Sequence, residues 1–154
     1  MALELKDRRL LAELQKDSRL TMQELAERVA MSTSACWRRV KALEEAGVIS
    51  RYAAIVDARK AGFGLSSMVH VSLARHEQKN VDHFIREISR QPEVLECFAT
   101  SGEADFHLRV VVEDMDAYNT FLDEFVFNLP GVSQVRSNIV LKEIKADTAL
   151  PFRV

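Results

Sequence analysis

The sequence predicts an α+β protein in two parts, an all-helical first part and a second part whose strands and helices follow the order βαββαβ. Apolar residues recur at helical spacing near the start of the chain, and short apolar strands alternate with amphipathic helices further along. Gly62 and Gly64 mark the boundary between these patterns. We therefore divide the chain into a first domain at 1–52, a linking strand and hinge at 53–65, and a second domain at 66–154.

Three helices are predicted in the first part, each from one apolar stripe. A capping box formed by Thr21 and Glu24 begins the second helix, and Ser32 is the N-cap candidate of the third. Gly47 stands where a left-handed residue ends the third helix, and extended chain follows at 48–57. The stripes are Leu10, Leu11 and Leu14; then Met22, Leu25, Ala26 and Val29; then Cys36, Val40 and Leu43.

Four strands and two helices are predicted in the second part, in the split βαβ order of ferredoxin-like domains. Asp114 is the N-cap candidate of the second of these helices. The predicted strands are 68–73, 94–100, 106–112 and 135–144, and the predicted helices lie near 81–88 and 118–125.

Composition and charge limit the class of protein. Of 154 residues 47% are apolar, which suffices for a packed core, and no apolar run is long enough to span a membrane. Residues 1–60 contain 12 Lys and Arg against 9 Asp and Glu, whereas residues 61–154 contain 9 against 14. The two parts are therefore expected to bind different partners. The start of the chain does not resemble a signal peptide, and Cys36 and Cys97 lack zinc or disulfide spacing, so a cytoplasmic location without a membrane partner is expected.

The first part has the features of a winged-type helix-turn-helix, in which the second of two braced helices enters the major groove of double-stranded DNA. Hydroxyls near the start of that helix suit phosphates or bases, and an arginine suits guanine or phosphate. A solvated helix face is the competing interpretation, and Trp37 could equally be a packing residue. The predicted DNA-binding residues are Ser32, Thr33, Ser34, Trp37, Arg38, Lys41 and, on the flank, Arg39.

Several runs of this sequence resemble, in order, the leucine-responsive/AsnC family of transcriptional regulators. The resemblance implies a second domain that senses a ligand and assembles dimers into larger rings, commonly octamers. It also implies that the strand 52–56 pairs with its equivalent across the dimer. The matching runs are 10–17, 24–29, 32–40, 43–49, 101–106 and 129–132.

The chain departs from the family pattern at a few positions. Ala30 stands where glycine is frequent, and a positive φ there would cost about 1 kcal/mol, so this turn is expected to differ slightly. Ala35 lies near a position where proline is frequent, and Glu4 replaces a frequent aspartate. Ala104 stands where a larger side chain is common, which leaves the effector's identity open.

The loop at 100–105 is the candidate effector site. Gly102 permits close backbone approach, free N–H groups could bind a carboxylate, and Asp105 could hold an ammonium, which together would suit an amino acid. A plain polar turn is the alternative from spacing alone. The resemblance favours an amino-acid site between subunits and extends it beyond the loop. The predicted site residues are Ala99, Thr100, Ser101, Gly102, Glu103, Ala104, Asp105, Met115, Asn138, Ile139 and Val140.

Catalysis is not expected. The sequence has no phosphate-binding loop, no nucleophile-elbow motif and no dinucleotide fingerprint, and its four histidines, His70, His76, His83 and His107, lack metal-ligand spacing. We expect a sequence-specific, nucleoid-associated regulator without a cofactor, in which an amino acid shifts oligomeric assembly. Two alternatives remain: an architectural protein that wraps DNA with little sequence preference, and an amino-acid-binding enzyme subunit with a vestigial DNA-binding domain.

Overall fold

The structure, a computed structural model, describes residues 3–74 and 77–153, so that His76, one of the four histidines considered above, lies outside the described residues. The chain forms two compact units. The helical unit comprises the chain up to Ile55 together with the chain from Lys145 onwards, and the sheet unit comprises Val56–Ile144. The last ten residues thus group with the helical unit, whereas the sequence placed them in the second domain.

Three helices form the helical unit: α1 (Leu5–Lys16), α2 (Met22–Arg28) and α3 (Thr33–Glu45). Their predicted apolar stripes meet in one core built on Leu10, Leu25, Cys36 and Val40. The end of the chain is attached to α1, because the Gln15 side chain exchanges two hydrogen bonds with the backbone of Leu150.

The turn between α2 and α3 contains Ala30 with φ at 53°, the one non-glycine residue with positive φ among those described. The left-handed conformation expected to be avoided is therefore adopted. It allows the N–H of Met31 to donate to the carbonyl of Ala26 at 2.9 Å, which closes the end of α2.

The segment 51–57 is irregular and exposed, so the strand expected at 52–56, ahead of the hinge, is not formed. Ile55 and Val56 are 86% and 68% exposed. A strand requires a neighbour to accept its backbone hydrogen bonds, and the described chain offers none to this segment. Leu65, the last residue of the predicted link, is the first residue of a strand.

The sheet unit contains β1 (Leu65–Leu73), α4 (Gln78–Ile88), β2 (Val94–Ala99), β3 (Phe106–Val112), α5 (Met115–Thr120) and β4 (Val132–Ile139). The strands form an antiparallel sheet in the order β2-β3-β1-β4, as the ferredoxin-like prediction requires. Alternate residues of β1 and β3 face the helices and pack around Phe84 and Ile88 of α4.

Several predicted bounds differ from the structure, and β1 and β4 each begin three residues before the predicted 68 and 135. The last strand ends at Ile139 rather than at residue 144, because its final bond to β1, from the N–H of Val140 to the carbonyl of Ser66, lies at the start of that partner strand. The last helix is α-helical only to Thr120 and continues as a π-helical turn (Phe121–Phe125) and a 3-10 turn (Val126–Asn128). Asn128 donates to the carbonyls of Asp123 and Glu124, which satisfies groups that the irregular turns leave open.

Candidate DNA-binding helix and effector loop

Helix α3 is held at both ends by the predicted caps. The Ser32 hydroxyl accepts a hydrogen bond from the N–H of Ala35 at 3.3 Å. At the other end Gly47 has φ at 69°, and the N–H of Val48 donates to the carbonyl of Leu43 at 2.9 Å. These bonds satisfy backbone groups that a helix end leaves free, so the helix presents a defined outer face.

The outer face of α3 carries most of the predicted DNA-binding residues. The Trp37 side chain is 55% exposed, so it is not a residue of the hydrophobic core. An open cleft of about 590 Å³ lies against this face. It is lined by Thr33, Ser34, Trp37 and Arg38 together with Met22 of α2. The sequence analysis assigned Met22 only to the apolar stripe of the second helix. Its position directly after the N-cap of α2 is the signal that could have placed it beside this cleft.

Arg39, predicted as a flanking DNA contact, is engaged within the helical unit instead. Its guanidinium donates to Asp7 Oδ1 and to Glu4 Oε2, both at 2.7 Å. These hydrogen bonds, Asp7 first, raise the pKa of Arg39. Asp7 is buried, and its other carboxylate oxygen caps the N–H of Glu4 at the start of α1. Arg39 therefore ties α3 to α1, whereas the neighbouring Arg38 makes no salt bridge with the residues that the structure describes.

The end of α3 is linked to the chain that follows it. The Tyr52 hydroxyl donates to Glu44 Oε1 at 2.9 Å, and burial together with this carboxylate raises the pKa of Tyr52 to about 12. Lys41 lies one turn earlier, 3.9 Å from Glu44 Oε2 and about half exposed. That contact is long and solvated, so Lys41 stays available to another anion.

The loop at 100–105 closes the hairpin between β2 and β3. The Thr100 N–H donates to the carbonyl of Asp105 at 3.0 Å, and Gly102 has φ at 141°, which favours glycine. Asp105 Oδ2 accepts the N–H of Leu73 at 2.7 Å. The Asp105 carboxylate, which was expected to hold an ammonium, therefore already accepts one hydrogen bond from β1. Ala104, in the same loop, is buried.

A salt bridge connects the same loop to β4. Arg136 Nη2 lies 2.8 Å from Glu103 Oε2, and this hydrogen bond is the main cause that lowers the pKa of Glu103. Glu103 remains largely exposed. The loop thus presents an ion pair to solvent beside its glycine.

The remaining predicted effector residues lie at the opposite end of the sheet. Phe106, which follows the loop, pairs with Val71, whereas Asn138 pairs with Met68 on the other side of β1. Three residues of a strand span about 10 Å. Ile139 and Val140 are further along, and Met115 follows the far end of β3. Within one chain the structure therefore brings Ala99 and the loop together but separates them from Met115 and 138–140.

A pair of histidines lies on the sheet face opposite the helices. His70 Nδ1 and His107 Nδ1 are 2.7 Å apart, and the Asn138 amide nitrogen lies 3.0 Å from His70 Nε2. Burial, followed by His107, lowers the pKa of His70. The sequence analysis did not pair these histidines, because only the register of β1 and β3 brings them together.

Within residues 3–74 and 77–153 no group of three or more His, Cys, Asp and Glu side chains could hold a metal ion. Over the same residues no helix has both the length and the apolar character needed to cross a membrane.

Comparison with known sequences matches two family models to successive parts of the chain. Residues 3–50 match a family model described as winged helix-turn-helix DNA-binding, and residues 66–150 match one described as Lrp/AsnC ligand binding domain. The DNA-binding transcriptional activator DecR of Escherichia coli is 38% identical over 146 residues, which cover 95% of this chain and 96% of that protein. The leucine-responsive regulatory protein of the same species is 35% identical over 147 residues, covering 96% and 90%.

Solved structures agree with these relatives. A transcriptional regulator from Neisseria meningitidis, solved as a complex with L-methionine, superposes with a TM-score of 0.92 at 39% identity over 97% of each chain. An AsnC family transcriptional regulator from Agrobacterium tumefaciens superposes with a TM-score of 0.92 at 36% identity, again over 97% of each chain.

Proposed function

The chain belongs to the Lrp/AsnC family of DNA-binding transcriptional regulators, and we propose that it recognises specific DNA sites through α3 and answers to an amino acid bound at the loop 100–105. The observation that carries the DNA-binding half is the exposed face of α3, where Ser34, Trp37 and Arg38 line one open cleft. A helix of this kind fits the major groove, where base edges differ in their donors and acceptors.

Each residue of that face has a proposed role. Ser32, Thr33 and Ser34 lie at the start of α3, where hydroxyls and backbone N–H groups bind phosphate. Arg38 reads a guanine or binds a phosphate, Trp37 contacts an apolar base edge, and Lys41 binds the backbone. Arg39 is proposed as a positioning residue, because two of its donors already bind carboxylates at the start of α1.

Competition binding tests this half. We expect selected duplexes to bind far more tightly than random DNA of the same length, and Arg38→Ala to weaken specific binding by about 1–3 kcal/mol, roughly tenfold to a hundredfold. The slope of log affinity against log salt should fall by about 1 for each phosphate that a variant no longer neutralises. Arg90→Ala, an exposed arginine of the sheet unit, is the matched control. Equal affinity for all duplexes would favour an architectural protein that wraps DNA and would contradict the proposal.

The effector half rests on the loop and on the relative solved with L-methionine. We propose that the loop of one subunit provides N–H groups and the Glu103–Arg136 pair, and that a second subunit supplies Met115 and 138–140, which lie too far away in one chain. A dimer that assembles further, to an octamer, would create this shared site. Effector binding would shift that assembly and with it the occupancy of DNA in the nucleoid. In this proposal the protein is a cytoplasmic regulator and not an enzyme.

Asp105→Asn is the sharpest test of the effector half. The amide oxygen can still accept the N–H of Leu73, so the loop should keep its shape while losing its charge. We expect wild-type protein to be stabilised against heat by at least one of the common amino acids, and the variant to lose that response while binding DNA. Asp123→Asn, an exposed aspartate of the same unit, is the control. Sedimentation with and without the amino acid measures the assembly; an unaltered response of Asp105→Asn would move the site elsewhere.

A further inference from the structure

A second cavity lies in the sheet unit, away from the loop 100–105. Its volume is about 540 Å³, within the range of pockets that bind small molecules. Apolar side chains form most of its wall, among them Phe63, Leu95, Val111 and Val112. Leu95 and Phe63 are 57% and 44% exposed, so apolar surface faces the cavity opening.

One wall of this cavity is formed by the segment that precedes β1. Its residues 57–62 form a turn, in which the N–H of Phe63 donates to the carbonyl of Ala58 at 2.8 Å. The N–H of Gly64 donates to the carbonyl of Glu113 at 3.0 Å, and a Cβ on Gly64 would lie 2.9 Å from that oxygen. Gly64 thus lets the segment lie directly against the end of β3, which defines the cavity.

Two charged residues, Glu93 and the exposed Glu113, line this otherwise apolar wall. Glu93 is half-buried, and its Oε2 is buried without a hydrogen-bond partner among the residues that the structure describes. A buried carboxylate oxygen without a donor is costly, and native proteins nearly always supply one. The terminal torsion of a glutamate is broad and roughly twofold, so rotation can turn either oxygen toward the cavity.

We propose that this cavity binds a small amphipathic cation, with its apolar body against Leu95, Phe63 and Val111 and its ammonium on the carboxylate of Glu93. The ammonium supplies the missing donor, and the carboxylate selects against neutral and anionic ligands. Within one chain the site is separate from the loop 100–105, but two residues of its wall, Glu113 and Ala117, flank Met115 of the proposed effector set. It lies by the Val94–Val110 pair of the hairpin, and the loop follows the Ala99–Phe106 pair, about 16 Å along the strand.

Calorimetric titration with 2-phenylethylamine tests the proposal, with 2-phenylethanol as its neutral counterpart of the same size. We expect the amine to bind wild-type protein at least tenfold more tightly than the alcohol. Glu93→Gln should abolish that preference, whereas Glu96→Gln, an exposed glutamate of β2, should retain it. Ala61→Phe, which places a ring at the cavity wall, should weaken both ligands.

Three results would overturn the proposal. The amine could fail to bind at millimolar concentration, as it would if a second copy of the chain fills the cavity in solution. Its preference over the alcohol could survive Glu93→Gln in a variant whose circular dichroism matches wild type. Saturating L-methionine, added as a competitor for the loop, could displace the amine. An amine that still binds in Asp105→Asn supports two separate sites, whatever the outcome for DNA.

Discussion

The helical unit and the sheet unit differ in how much of a candidate site one chain contains. On α3 the cleft residues Thr33, Ser34, Trp37 and Arg38 lie within two helical turns and meet on one face. In the sheet unit the loop 100–105 and the segment 138–140 flank opposite ends of the same strand. A site carried by one helix is complete in a single chain, whereas a site spread over a sheet depends on what packs against it.

The largest effects on stability should come from replacing one large core side chain in each unit by alanine. These two variants test whether the units unfold independently. Phe84 is fully buried, and the centroid of its ring lies 4.6 Å from that of Phe106. Phe84→Ala should therefore destabilise the sheet unit by about 4 kcal/mol. Leu25→Ala should destabilise the helical unit by about 3 kcal/mol. Hydrogen exchange measured by mass spectrometry follows each unit. If Phe84→Ala accelerated exchange equally in α2 and α3, the two units would unfold as one.

The next largest effect separates two adjacent arginines of α3. Arg39→Ala leaves buried Asp7 without its cation and should destabilise the helical unit by about 2 kcal/mol, whereas Arg38→Ala should change stability by less than about 0.5 kcal/mol. Urea denaturation measures both. Comparable stability losses in the two variants would remove the distinction between a positioning and a contacting arginine.

Ala30 provides a smaller test of the turn that positions α3. Ala30→Gly relieves the left-handed strain and should stabilise the helical unit by about 1 kcal/mol. The same substitution inside α3, Ala42→Gly, should cost about 1 kcal/mol, because glycine is unfavourable in a helix interior. Thermal unfolding of the two variants should therefore shift in opposite directions; a shift in the same direction would show that the turn is not strained.

The smallest effect belongs to His70 of the sheet unit. His107 on β3 and Arg136 and Asn138 on β4 surround it, and its pKa lies below the ordinary 6.5. The unfolded chain therefore binds the proton more readily, so stability present above pH 6.5 should fall as the pH drops through that value toward the lowered pKa. His70→Gln should flatten the dependence of unfolding temperature on pH between about 7 and 5. An identical slope in wild type and His70→Gln would contradict this assignment.

Local patterns predicted the helical unit closely. The caps at Thr21, Ser32 and Gly47 and the stripe on α3 depend on residues within a few positions of one another, and all lie where the sequence placed them. The ion pairs of Arg39 were not predicted, because its partners, Glu4 and Asp7, lie more than thirty positions away. The pair Glu4 and Asp7 forms a capping box, which marks the start of α1 but not what its carboxylates bind.

The sheet unit was predicted in order but not in detail. β3 was placed correctly at both ends, because buried residues alternate along it between a loop and an aspartate cap. The end of β4 depends on where β1 begins, and the irregular turns after Thr120 depend on side-chain bonds such as those of Asn128. Neither is encoded in the periodicity of the element itself. The pairing of His70 with His107 likewise requires the register.

The exposed, irregular segment at 51–57 has a consequence for how assembly could be measured. An exposed, irregular stretch containing Tyr52, Ile55 and Val56 is an accessible substrate for proteases, which cleave unpaired backbone in preference to paired strands. Any second chain that covers it would protect it. If two chains pair here, as the resemblance to the family implies, the rate of cleavage in dilute protein would measure the fraction of monomers without any label.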